Sequence, residues 1–213
     1  MPYSQQSCSL QPNNGCAFPP LRCQPSNTMR SVSTTTMELY ILRNGEAGSH
    51  AADISREFHR SLSEAGRDEV EGVARWLAGQ GVRFDVIATS PLPRARETAE
   101  IVADAVDYDS KILDWKALEP GVGTLSLIGH LTEFFKIQNV LLIGHEPELS
   151  KMISLLIAGH HHCGIHLQRA GLCKLRRVTF YDMPAGELHW LLSPDQMAVV
   201  TNDPRRRAIP ASR

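Results

Sequence analysis

The sequence predicts an α/β fold: a doubly wound, mostly parallel sheet flanked by helices, with a C-terminal antiparallel hairpin at its edge. Three observations point there. From Met37 onward, strand-like and helix-like segments alternate, the pattern of a parallel sheet wrapped by helices. Val140-Leu141-Leu142-Ile143 is apolar on both faces, as a central parallel strand must be. Two late strand-like runs are joined through Pro184-Ala185-Gly186, a tight-turn composition that suits a hairpin.

Taken in order, the first strand is expected at 38–42, where a short apolar run precedes Arg43 and Gly45. A looser stretch leads to Arg60, and a helix follows over 64–78. Ser63 is its predicted N-cap, Glu64 and Glu69 suit the positive end of the dipole, and Val70, Val73, Ala74 and Leu77 form one apolar stripe. Gly79 and Gly81 end it. A second strand is expected at 84–89. The next helix runs from Ser90-Pro91 to about Val106, with Ala95, Ala99, Val102 and Val106 inward. A third strand over 111–118 and a helix over 124–136 precede the central strand at 140–143. Gly144-His145-Glu146-Pro147 turns into a helix that faces Leu149, Met152, Ile153 and Leu156 inward, and strands at 172–181 and 187–192 close the fold.

Residues 1–36 differ in kind: rich in Ser, Thr, Pro, Asn and Gln, and without an acid or a lysine, they bury too little to order themselves. They lack the apolar block of a secretory signal and the amphipathic period of an organellar one. Met37 stands immediately before the first strand, which fits a gene start placed too far upstream. The expected organisation is a disordered tail over 1–36, one domain over 37–196, and a solvated tail over 197–213 that carries Arg205-Arg206-Arg207. The formal net charge of −1 offers no attraction to nucleic acid or an anionic membrane, and no run of about 18 apolar residues occurs. Of five cysteines, only Cys163 and Cys173 lie in the body, which is no disulfide framework. A cytoplasmic location is the matching expectation.

Three strands end in polar groups at what should be one edge of the sheet, the edge where open α/β sheets bind ligands. The first ends in Arg43 and Asn44. The second runs into Ser90-Pro91-Leu92-Pro93-Arg94-Ala95-Arg96-Glu97-Thr98, and the fourth into Gly144-His145-Glu146. Each segment alone is weak. Together they place two guanidiniums and an imidazole around one point, a site for a dianionic group such as a phosphoryl. A helix start at Ser90 would add backbone N–H donors and a positive dipole end.

These segments resemble the motifs of the histidine phosphatase superfamily, and in particular its compact SixA-type phosphohistidine phosphatase branch. Leu42-Arg43-Asn44-Gly45-Glu46 is similar to the family's Leu-Arg-His-Gly-Glu, and Leu62-Ser63-Glu64-Ala65-Gly66-Arg67 to its Leu-Thr-x-x-Gly-Arg. Ser90 to Thr98 matches the second Arg motif, and Ile143 to Pro147 the second-His motif. Ala170-Gly171 and Trp190-Leu191-Leu192-Ser193-Pro194 resemble the closing strands. The resemblance implies that Arg43, Arg94, His145 and Ser90 bind the phosphoryl group and that a phosphorylated protein is the partner. It also implies that the residue at position 44 attacks phosphorus. It implies no cofactor and no metal, because the arginines supply the positive charge. Glu119, before Pro120-Gly121, is the local candidate for an acid, against a plain surface turn.

At position 44 the family's nucleophilic His is replaced by Asn44. An amide can imitate the near ring nitrogen of His by donating to backbone, but nothing stands where the attacking nitrogen would be. His50, past the turn, would need a large loop rearrangement to substitute. Three readings follow: a phosphohistidine phosphatase by descent with lost or very weak activity, a pseudophosphatase that binds phosphorylated partners without hydrolysis, and a weak hydrolase of small phosphate esters or pyrophosphate. Asp53, Arg56 and His59 are candidates for the pocket rim. The run His160-His161-His162-Cys163 offers metal-type donors, but neighbours in one loop cannot all point at one ion, so it reads as a polar loop. Trp76, Trp115 and Trp190 read as core residues, since no basic stripe accompanies them.

Overall fold

The computed structural model describes residues 36–48, 58–134, 137–180 and 183–200. Its centre is a six-stranded sheet built from β1 (Met37–Arg43), β2 (Val86–Thr89), β3 (Leu113–Asp114), β4 (Asn139–Gly144), β5 (Leu172–Thr179) and β6 (Ala185–Leu192). The strand order is β3-β2-β4-β1-β5-β6. The first four pair in parallel, β5 runs antiparallel to β1, and β6 completes the antiparallel hairpin at the edge. The doubly wound sheet with its late hairpin is the architecture that the alternation implied.

Helices cover both faces. α1 (Glu64–Gly79), α2 (Pro93–Ala105) and α5 (Pro194–Val200) pack on the face that carries Tyr40, Leu42, Ile87, Leu141 and Ile143. α3 (Thr124–Glu133) and α4 (Glu148–Ala158) cover Leu39, Ile41, Ala88, Val140 and Leu142. Alternate residues of β1 and β4 thus enter two separate cores, which is why both strands read as unbroken apolar runs. Ser63 caps α1 by accepting from Gly66 N–H at 3.0 Å, and Leu149, Met152, Ile153 and Leu156 of α4 are all buried.

Three expectations shift. The third strand shrinks to Leu113–Asp114 and then coils into a 3-10 turn over Lys116–Leu118, because Trp115, Ala117 and Leu118 all have to enter the core. An extended strand would have turned alternate residues outward. The second helix starts at Pro93, not at Ser90, since proline suits the first helical position. At the other end, α5 runs to Val200 and buries Met197, within the segment expected as the C-terminal tail. The expected 1–36 tail lies, up to residue 35, outside the described residues, as do 201–213.

Candidate active site

Register brings the site together. Arg43 pairs with Gly144, and Thr89 pairs with Ile143, so Asn44, His145 and Ser90 all step off adjacent strand ends. Asn44 N–H donates to Gly144 O at 3.1 Å and Ser90 N–H to Ile143 O at 2.9 Å, which extends the ladder just past each strand. The loop after β1 then presses onto the first turn of α1. A Cβ on Gly66 would lie 2.1 Å from Glu46 O, and one on Gly45 would lie 2.7 Å from Val70 Cγ2. Only glycines permit that approach. Thr98 of α2 accepts from Gly45 N–H at 3.3 Å and donates to Arg94 O at 2.7 Å, so it links the first motif to the second.

Around these strand ends lies an open cavity of about 320 Å³. Arg43, Asn44, Arg94 and His145 share its wall, as the sequence suggested. The wall also includes Arg60, Arg169, Phe58 and Glu146. Arg43 is held by donating from Nη1 to Leu167 O at 2.9 Å. Burial pulls its pKa down, Glu146 pushes it up and Arg169 pulls it down further. Asn44, only 8% exposed, turns Nδ2 to Gly45 O at 2.8 Å. The amide therefore donates to backbone, as its chemistry suggested.

Ser90 has a different place from the one expected. It is fully buried, and its Oγ lies 2.9 Å from His145 Nε2 and accepts from Leu92 N–H at 3.3 Å. It stands behind His145, outside the cavity wall. The pKa of His145 is lowered to about 3, by burial first and then by the charges of Arg94 and Arg43. The imidazole is neutral at ordinary pH, so one ring nitrogen donates and the other accepts. With Leu92 on one lone pair of Oγ, the hydroxyl can still give its proton to Nε2 or accept from it.

Glu119 is half-buried and sits next to Pro120, which lines the cavity, but Glu119 itself does not. Glu146 spends its carboxylate on the start of α4, accepting from Ser150 N–H at 3.2 Å and from Ser150 Oγ at 2.6 Å. His59 is exposed in a turn; His50, Asp53 and Arg56 lie outside the described residues. Among the described residues, no group of three or more His, Cys, Asp or Glu converges in a way that could hold a metal ion.

Arg60 and Arg169 escaped the sequence reading. Arg60 donates from Nε to Gly48 O at 2.9 Å and from Nη2 to Ala47 O at 3.1 Å and to Gly48 O, pinning the loop beyond the first motif. Arg169 donates to Glu46 Oε1 at 2.6 Å. Each lies far in sequence from the strand ends that mark the site. Arg169 immediately precedes the Ala170-Gly171 motif, and that adjacency was its one signal.

Comparison with known proteins agrees with this geometry. Residues 39–119 match the family model of the histidine phosphatase superfamily (branch 1). Over that stretch the chain is similar to the histidine phosphatase superfamily. Within it, the likeness is to the SixA type. An uncharacterized protein from Picosynechococcus is 45% identical over 69 residues, 32% of this chain and 41% of that protein. The phosphohistidine phosphatase SixA of Escherichia coli is 36% identical over 74 residues, 35% of this chain and 44% of that protein. The matched stretches thus span less than half the length of these two relatives. The structure of the protein histidine phosphatase SixA complexed with tungstate superposes with a TM-score of 0.65 at 27% identity, over 74% of this chain and 97% of that one.

Proposed function

We propose that this domain binds the phosphoryl group of a phosphohistidine-bearing protein, and that Asn44 leaves it able to hold that group far better than to hydrolyse it. The observation that carries this reading is the convergence of Arg43, Arg94 and His145 on one cavity with Asn44 at its base. Two guanidiniums and a neutral imidazole form a donor set for a tetrahedral dianion. The cavity is open, which suits a side chain presented on a protein surface better than an engulfed metabolite. The relative named as a phosphohistidine phosphatase supports the same substrate class.

In a competent relative of this geometry, the imidazole at position 44 would attack phosphorus as the substrate's P–N bond breaks and its imidazole departs with a proton, then pass the phosphoryl group to water as inorganic phosphate. Here the side chain ends in an amide whose nitrogen lone pair is delocalised and whose N–H is committed to Gly45 O. Arg43, Arg94 and His145 can still neutralise charge as water attacks directly, so slow turnover persists. Loss of the nucleophile costs about six powers of ten in kcat in a serine protease, which sets the upper scale.

The test is hydrolysis of a phosphohistidine-bearing protein by the full chain beside its Asn44→His variant. The reading requires turnover to rise by about a thousandfold or more in the variant, while both bind tungstate. Equal activity in the two proteins would refute the role given to position 44. A variant inactive on phosphohistidine yet active on small phosphate esters would replace the substrate class. Among the described residues no helix is long and apolar enough to cross a membrane, and a cytoplasmic phosphoprotein partner belongs to the same proposal.

A further inference from the structure

The segment that joins α4 to β5 wraps around the end of β1. Leu167 O accepts from Arg43 Nη1 at 2.9 Å, Ala170 N–H donates to Asn44 O at 3.3 Å, and Arg43 N–H donates to Gly171 O at 3.0 Å. Ala170 adopts a positive φ of 49°, an uncommon conformation for a residue with a Cβ. The backbone on either side of Arg169 is therefore fixed to the two residues that define the phosphoryl site. Its side chain is not fixed in that way. It is 50% exposed and is held by Glu46, itself 41% exposed, through one contact at 2.6 Å.

Arg169 also stands on the shared wall of two cavities. It lines the phosphoryl cavity, and with Arg43 it lines a neighbouring one of about 340 Å³ that also contains Glu46. A dianion seated between Arg43 and Arg94 would lie within the field of Arg169. An ion pair as exposed as Arg169–Glu46 contributes little net stability. A guanidinium fork on two phosphoryl oxygens makes two parallel charge-assisted bonds to a dianion, where Glu46 offers one contact from a single carboxylate charge. Exchange of one partner for the other is thus favourable once the dianion is present.

Resting on the phosphoryl-site reading above, we infer that Arg169 is an exchangeable third guanidinium for the bound phosphoryl group, kept at the cavity mouth by Glu46 until the anion arrives. Glu46 is then a competitor for the arginine as well as its holder, and the pair tunes affinity for phosphorylated partners.

Calorimetric titration of the full chain with tungstate, a tetrahedral dianion, separates the possibilities. Arg169→Ala should weaken binding by about fivefold or more. Glu46→Gln should tighten it by about twofold to threefold, because the competitor is gone. The double variant should match Arg169→Ala alone, since Glu46 acts only through the arginine. Arg169→Lys, which keeps the charge but loses the fork, should fall between parent and Ala. Parent-like affinity in Arg169→Ala overturns the inference, as does weaker binding in Glu46→Gln. If Arg43→Ala leaves tungstate binding unchanged, or the parent binds none, the phosphoryl-site reading falls and this inference with it.

Discussion

His145 Nε2 lies 2.9 Å from Ser90 Oγ, and this contact joins the ends of two neighbouring strands behind the cavity lined by Arg43, Asn44 and Arg94. It is fully buried on the serine side, so water cannot replace a lost partner. Ser90→Ala should cost about 1–3 kcal/mol of stability by leaving a ring nitrogen unsatisfied. It should also weaken tungstate binding, because the ring loses the contact that orients it. Ser90→Thr, which keeps the hydroxyl, should recover most of the affinity even if its extra methyl lowers the unfolding midpoint. Equal affinity in parent and Ser90→Ala would show that the contact only packs the core.

Stability should fall in mild acid through His145. Its pKa in the fold, about 3, lies below the ordinary 6.5. Between those values the unfolded chain takes up a proton that the native chain refuses. The contribution of His145 is therefore complete above pH of about 6.5 and lost progressively as pH falls toward about 3, at a slope approaching roughly 1.4 kcal/mol per pH unit. Urea unfolding at a series of pH values checks this, with His145→Gln expected to flatten the acid limb. An unchanged limb in that variant would assign acid sensitivity to other groups.

Asn44 leaves space where a ring would sit, so an external ring should substitute for it. Asn44→Gly, which opens that space further, should hydrolyse a reactive phosphate ester at a rate that rises linearly with added imidazole. Adding Arg94→Ala should remove the dependence. A rate indifferent to imidazole would place the attacking group elsewhere in the cavity.

Gly66, in the first turn of α1 against the loop after β1, should be unequal to another glycine of the same helix. Gly66→Ala forces a Cβ against Glu46 O and should destabilise the domain by more than about 2 kcal/mol, with weaker tungstate binding as the loop moves. Gly72→Ala meets nothing closer than Arg75 Nη2 at 3.9 Å and should stabilise the same helix by about 0.5–1 kcal/mol. Comparing the two unfolding midpoints removes the general effect of glycine from the result.

Much of this architecture was written locally in the chain. Apolar runs of the β1 and β4 type, buried on two faces, declare a parallel sheet without reference to anything distant. Ser63 marks the start of α1 through backbone chemistry confined to one turn. The meeting of Arg43, Asn44, Arg94 and His145 at one cavity was legible because each directly follows, or opens the helix after, a recognisable strand, and the topology of a doubly wound sheet brings such strand ends together. The limits were equally physical. Trp115, Ala117 and Leu118 coil because burial overrides an extended pattern, and a string of apolar residues does not distinguish the two.

What the sequence alone determined, then, is the sheet, its motifs and the substitution at position 44, all encoded by short-range patterns of side-chain type. The tertiary structure decided the work of individual side chains. Ser90 was withdrawn from the cavity to support His145, Glu146 was spent on capping α4, and Arg60 and Arg169 were brought in from distant segments. Those outcomes depend on which polar atoms meet across the fold. A hydrogen bond between Arg169 and Glu46 spans 123 positions of chain, and only the closed sheet brings its two ends within reach.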